Sequence, residues 1–217
     1  MAEPDTETPR ERYRTQVRAE VKERAWEQIA TAGASALSLN AIAKRMGMSG
    51  PALYRYFAGR DELITELIRD AYRSLADALR AASADGADPA GLAHVLRGWA
   101  LEDPQRYLLI YGTPVPGYHA PEDITGISHE IMTTLLDACT ALAPDVPATP
   151  FSTHLEDHRA WAGDHPAPPA VLQLALTFWT RLHGVLSLEL AGHFSGMGFD
   201  PALFFAAELE ALPAHRA

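Results

Sequence analysis

The sequence predicts an all-α protein, on three observations. Apolar residues recur at spacings of three and four in nearly every periodic stretch, no segment sustains the period-two alternation of a strand, and Pro and Gly fall where helices start and stop. At 217 residues, with 47% hydrophobic composition, the chain can hold one compact unit or a small domain plus a larger one.

The first helix is predicted from about Glu11 to Ala32, with Val17, Val21, Ala25 and Ile29 on its buried face. Residues 38–60 then hold two short helical patterns around a glycine-marked turn. Ser38 can cap the first, whose apolar face is Leu39, Ile42, Ala43 and Met46. Gly47 can end it, because a residue without Cβ takes the left-handed conformation cheaply. Ser49 is expected to supply an N-cap side chain to the second, with Pro51 in the first turn, where its missing N–H costs nothing. Leu53 and Phe57 would be buried, and Ala52, Tyr54, Arg55 and Tyr56 turned the other way. This is the grammar of a helix-turn-helix, whose second helix places its N-terminal residues in the major groove of DNA.

A long helix follows from Asp61 to about Ala82, with Ile64, Ile68, Tyr72, Leu75 and Leu79 on one face. Asp88-Pro89 and Asp103-Pro104 each pair an N-cap with a first-turn proline and open helices to about Leu101 and Tyr111. Residues 112–121 read as a loop, and a helix from about Glu122 to Leu142 comes next. Residues 144–169 are proline-rich and read as a mostly irregular excursion with a helical turn or two. Two last helices run from about Pro169 to His193 and from Pro201 to Leu212, the latter capped by Asp200. The first of these is apolar on two faces: Val171, Ala175, Phe178, Leu182 and Val185 on one, Leu172, Leu176, Trp179, Leu186 and Leu190 on the other. A helix apolar nearly all round is buried on both sides, by its own chain or by a second copy.

The run Ile42-Ala43-x-x-x-Gly47-Met48-Ser49-x-x-x-Leu53-Tyr54-x-Tyr56-Phe57, followed by Gly59-Arg60-Asp61-Glu62-Leu63, resembles the TetR family of bacterial transcriptional regulators. Trp179-x-x-x-His183-Gly184 is similar to the WHG-type C-terminal domain of one branch of that family. The resemblance implies a DNA-binding domain over residues 1–60 and a helical effector-binding and dimerisation domain over 61–217, with 61–82 as the connecting helix. It also implies a homodimer formed through the C-terminal helices, bound as a repressor to a double-stranded, near-palindromic DNA operator and released by a small apolar or aromatic effector. The DNA contacts would come from Ser38, Asn40, Lys44, Arg45, Ser49, Gly50, Pro51, Ala52, Tyr54, Arg55, Tyr56 and Arg60, with Arg60 standing where the family usually has Lys. The effector would lie among Trp99, Tyr107, Tyr111, Phe178 and His183. Tyr118 and His129 are further candidates beside them. Spacing alone equally allows those aromatics to be plain core.

Charge agrees with this division. The whole chain carries 18 basic against 28 acidic residues, yet positions 10–60 hold ten Lys and Arg against four Glu. Positive charge is concentrated where phosphates would be met, and the acidic remainder would be repelled by DNA. A single cysteine, Cys139, excludes an intrachain disulfide and suits a reducing cytosol, and its apolar setting points to a buried thiol. Met1 to Arg14 has no apolar core of a secretory signal, and Val171–Gly192 is interrupted by Gln173, Arg181, His183 and Glu189, so a cytoplasmic protein without a membrane span is expected.

Neither a catalytic residue nor a cofactor is expected. No Gly-x-Ser-x-Gly, cofactor glycine loop or Cys–His pairing motif occurs. His154 and His158, four apart, could meet one metal on a helix, but the Glu at the third position does not match a zinc-protease pattern. A solvated polar run between prolines is the plainer reading, so no metal is assigned.

Overall fold

The computed structural model of the protein describes residues 8–115, 117, 118, 121–142 and 148–212. Helices account for all the regular structure among them, and no strand occurs. The chain forms two compact units, a smaller one running to Ile68 and taking in the segment after Thr113, and a larger one comprising Arg69–Gly112 and the residues from Pro121 onward. Residues 1–7, 143–147 and 213–217 lie outside the described set, as does the opening of the proline-rich excursion.

In the smaller unit α1 (Pro9–Ala32) starts two residues before its expected position, because Thr8 and Glu11 form a capping box. Thr8 accepts from the Glu11 N–H, and the Glu11 carboxylate accepts from the Thr8 N–H at 2.8 Å. The expected stripe of Val17, Val21, Ala25 and Ile29 is the buried face. α2 (Leu39–Arg45) is capped by the Ser38 side chain, as expected, and α3 (Gly50–Leu53) follows. α4 (Arg60–Ala84) is one continuous helix. The boundary between units falls after Ile68, eight residues beyond the start of α4. Leu63, Ile64, Leu67 and Ile68 at that end are all buried within the smaller unit.

The larger unit is built around α9 (Pro169–Leu190), which packs against α5 (Pro89–Glu102), α6 (Pro104–Tyr111), α7 (Glu122–Ala141), α8 (Pro150–Asp157) and α10 (Pro201–Glu210). Asp88, Asp103 and Asp200 accept hydrogen bonds from first-turn amides of α5, α6 and α10, so each Asp-Pro pair starts its helix as its sequence suggests. α8 supplies the two turns expected of the excursion, and the reciprocal Thr149–Ser152 cap sets its start.

For the two apolar faces of α9, left open between cover by the same chain and by a second copy, the structure supplies cover from the same chain. Leu172 and Leu186, read as part of a second face, are fully buried in their own chain. Five neighbouring helices surround α9, so its all-round apolarity needs no second copy of the chain. Its exposed stripe is Thr180, Arg181, Gly184 and Leu188 instead. Burial also raises the Cys139 thiol to about 12, which keeps it protonated and inert.

Candidate nucleic-acid interface and a buried aromatic cluster

The turn between α2 and α3 is closed by hydrogen bonds that its glycine makes possible. Gly47 has φ 68°, the Met48 N–H donates to the Ala43 carbonyl at 2.9 Å, and the Gly47 N–H donates to Lys44 at 3.3 Å. Ala43 is fully buried, and a Cβ on Gly50 would stand 3.0 Å from Asn40 Oδ1, so small residues let α2 and the start of α3 approach closely. Ser49 occupies the N-cap position, but its side chain makes no capping hydrogen bond, contrary to expectation. Proline at the second position removes one orphan N–H, which leaves a side-chain cap less to do. Regular helix ends at Leu53, and Tyr54 to Phe57 continue as tight turns, with the Tyr56 N–H on the Leu53 carbonyl at 2.8 Å.

Leu53 and Phe57 are fully buried and anchor this element, while Tyr54 and Arg55 are exposed. Its far end is held by Arg18 of α1, a residue the sequence pattern does not single out. The Arg18 guanidinium donates to the Tyr56 carbonyl, lies 4.1 Å from the centroid of the Phe57 ring, and approaches Glu62 and Glu66 at 3.6 and 3.5 Å. Only the fold brings positions 18 and 56 together.

The cations of this unit divide into two groups. Arg45 pairs with Glu27 at 2.6 Å, and Arg60 donates to the carbonyls of Ala34 and Ser35 at 3.0 and 3.4 Å. Both make contacts within the unit, Arg60 half-buried and Arg45 in a surface pair that leaves its side chain about half exposed. Lys44, Arg55, Arg10, Arg12 and Arg14 are exposed and have no ion pair among the described residues. Ser38 spends its hydroxyl on the Ala41 N–H, and Asn40, Ser49 and Pro51 are exposed.

In the larger unit the structure brings together three of the five expected effector residues. Tyr107, fully buried, places its hydroxyl 2.9 Å from His183 Nδ1 and 3.0 Å from Ser187 Oγ. Tyr111 lies 4.3 Å and Trp179 4.1 Å from the His183 ring, centroid to centroid, and Tyr72 packs edge-on against Tyr111. Burial holds the His183 imidazole down to about 4, so it is neutral at ordinary pH. Burial, with Tyr72 and Tyr107 alongside, pushes the Tyr111 phenol well above its usual range. Trp99 and Phe178 stand apart from this cluster. Trp99 donates to Ser74 Oγ at 3.1 Å, and Phe178 lines an apolar cavity with Leu79, Leu92, Leu96, Leu135 and Trp179. Tyr118 falls in the smaller unit, and His129 is exposed on α7.

Comparison with known proteins decides the family. A family model described as "Tetracyclin repressor-like, C-terminal domain" matches residues 90–212, more than half of the chain, and another, "Bacterial regulatory proteins, tetR family", matches residues 23–67. The chain belongs to the TetR family. HTH-type transcriptional regulators of Mycobacterium bovis (Mb1846) and Mycobacterium tuberculosis (Rv1816) are each 37% identical to it, over 93% of this chain and 92% of theirs. A crystal structure of a regulatory protein, SCO4313, is 73% identical with TM-score 0.88, covering 94% of this chain and 98% of that one. A tetR-family regulator from Rhodococcus RHA1 shares the fold at TM-score 0.62 and 15% identity, covering 92% of this chain and 96% of that one. This TetR-family protein is therefore a DNA-binding transcriptional regulator, and no helix among its described residues is long and apolar enough to cross a membrane.

Within the TetR-family C-terminal domain, α8 carries His154, and His158 follows as the residue that caps the end of that helix. Their rings stack at 3.8 Å, with His158 Nδ1 against the His154 carbonyl at 2.9 Å, and no third metal-ligating residue joins them among the described residues. The Tyr107 hydroxyl has a structural load that its sequence position does not reveal. Tyr107→Phe in this regulator leaves His183 Nδ1 without its partner, and stability should fall by about 1–3 kcal/mol in urea titration. An unchanged midpoint would mean that the hydrogen bond contributes nothing.

Proposed function

We propose that this regulator is a cytoplasmic homodimeric repressor, released from its operator by a small apolar or aromatic effector held in the C-terminal domain. Two copies of α3 would enter successive major grooves about one helical turn apart, ~34 Å, which calls for a near-palindromic site. The observation that carries the DNA-binding half is the Gly47-closed turn with exposed cations on both sides of it, Lys44 and Arg55. Gly50, Pro51 and Ala52 at the start of α3 are small, so base readout rests on close backbone approach and on apolar contact with thymine methyls. Ser49, Tyr54 and Tyr56 would position the backbone.

Lys44 and Arg55 hold phosphates in this reading, whereas Arg45 and Arg60 brace the frame. Lys44→Ala and Arg55→Ala should each lower the salt slope of operator binding by roughly one unit. Arg60→Ala should leave that slope alone and lower the melting temperature. A drop in slope for Arg60→Ala would return that residue to the phosphate contacts that the family resemblance gives it.

The dimer reading is supported by the exposed stripe of α9 and by large apolar side chains near it in sequence: Leu188 at 46%, Leu203 at 70% and Phe204 at 38% exposure. The effector reading draws on the aromatic cluster and on a small apolar cavity of about 20 Å³ that shares Trp179 with it. A fold neighbour at 18% identity and TM-score 0.50 is described as a SmeT–triclosan complex, a small-molecule complex of that protein. Selection of duplexes from a random pool by the purified protein tests the whole reading. An enriched inverted repeat, released when a stabilising compound is added, is the expected result. Enrichment without symmetry would remove the dimeric operator model, and enrichment unaffected by any stabilising compound would remove the effector.

A further inference from the structure

His183 Nε2 is buried and has no hydrogen-bond partner among the described residues. Leaving a buried polar atom unmatched costs about 1–3 kcal/mol, and folded proteins seldom do so without a use for it. Its ring is otherwise fully provided for. Nδ1 meets the Tyr107 hydroxyl, and the ring faces pack on Tyr107, Tyr111 and Trp179 at 5.6, 4.3 and 4.1 Å. Trp179 also lines the neighbouring apolar cavity, so one side chain borders both that space and the imidazole. The lining is Leu, Ile, Ala, Phe and Trp with Thr134, and no Asp, Glu, Lys or Arg belongs to it. The Thr134 hydroxyl is already engaged on the Glu130 carbonyl at 3.0 Å.

We propose that His183 Nε2 is the polar anchor of the effector site, and that its ligand is an uncharged, mostly apolar molecule bearing one hydroxyl, a phenol or an alcohol. The inference rests on the reading that this domain senses a small molecule, and it specifies which kind. The cavity, about 20 Å³, has room for roughly one water as it stands, so the apolar body enters as the Trp179 indole turns aside, and the same movement opens the way from the hydroxyl to Nε2. A hydroxyl answers either neutral tautomer of the imidazole. It donates when Nδ1 carries the proton and accepts when Nε2 does, whichever way the Tyr107 and Ser187 hydroxyls are oriented. A carboxylate would enter an apolar space with no cationic side chain to meet it. The neutrality of the imidazole, enforced by burial, completes that exclusion.

The test compares three probes of one shape, naphthol, naphthalene and naphthoate, by calorimetric titration of the full chain. Wild-type protein should bind naphthol about tenfold more tightly than naphthalene, the yield of one net hydrogen bond, and naphthoate most weakly. His183→Phe keeps the ring packing and should bind both neutral probes alike, while Tyr107→Phe, which retains Nε2, should keep the preference. A wild-type readout covers the case in which His183→Phe does not fold: with isotope-labelled histidine, naphthol shifts the His183 Nε2 resonance and naphthalene leaves it in place. Equal affinity of wild type for naphthol and naphthalene, or a preference that survives in His183→Phe, overturns the anchor and leaves the cavity as an apolar effector site. Tightest binding of naphthoate overturns the exclusion of charge. No binding of any probe overturns the anchor and the effector reading of this cavity together.

Discussion

In the dimer proposed above, Leu203→Glu should leave the protein monomeric. Leu203 is 70% exposed on α10, the most exposed large apolar side chain among the described residues, with Phe204 beside it in the chain. If this surface meets its symmetry mate, a carboxylate there is buried without a partner, and the two-fold axis repeats the fault. At ~3 kcal/mol per site the dimer loses about 6 kcal/mol, a weakening on the order of ten-thousandfold, enough to dissociate a nanomolar dimer at micromolar concentration. Leu186→Glu is the informative control. Leu186 is fully buried in its own chain, so that variant should lose its fold and not merely its partner. Sedimentation velocity with circular dichroism separates the two outcomes. A Leu203→Glu protein that stays dimeric would place the interface elsewhere, and a wild-type protein that sediments as a monomer would end the dimeric operator model.

Acid should destabilise the protein through His183. The folded imidazole resists protonation down to about 4, whereas an unfolded histidine takes up its proton near its ordinary value of 6.5. Between those values the unfolded chain binds more protons than the folded one, so stability falls as pH falls. It is fully present above 6.5 and reaches its lowest contribution below about 4. The whole effect is roughly 3 kcal/mol, and about 2 kcal/mol of it is lost by pH 5. Carboxylates also titrate at the lower end, so the measurement is a comparison. Urea titrations of wild type and His183→Phe at pH 7.5 and pH 5 should show the gap between them change by about 2 kcal/mol in favour of the variant. A gap independent of pH would mean that water reaches the ring and that its burial is overstated.

Helix positions were the most legible part of this chain, because they depend on neighbours in sequence. The Asp-Pro starts at 88–89, 103–104 and 200–201 and the Gly47 turn are local devices, and each appears where its residues place it. What depends on distant partners was less legible. Periodicity marks Leu172 and Leu186 as apolar but not which neighbour covers them, and it took the five helices packed on α9 to show that their own chain buries them. The same limit applies to the site. The hydrogen bonds of Arg60 to the carbonyls of Ala34 and Ser35 join positions distant in sequence, and Arg18 reads as one more surface arginine until Tyr56 and Phe57 come against it. Tyr107, Tyr111 and His183 could be grouped from sequence as aromatic and polar residues on facing helices. Excluding Trp99 and Phe178 from that group required their actual contacts, with Ser74 and the cavity wall.

The short reading element is fixed at both ends before any DNA arrives. The hydrogen-bonded turn at Gly47 sets its entry, Leu53 and Phe57 pin its middle to the core, and Arg18 clasps the carbonyl of Tyr56 at its exit. Little chain entropy remains to be lost on docking, so contacts with small side chains can still yield useful affinity. Such preorganisation also narrows the ways in which the protein can be switched off. A signal that melted this element would have to undo buried anchors and a charge-assisted clasp together. Displacing it as a rigid piece leaves all of those contacts intact, and that is the far cheaper motion.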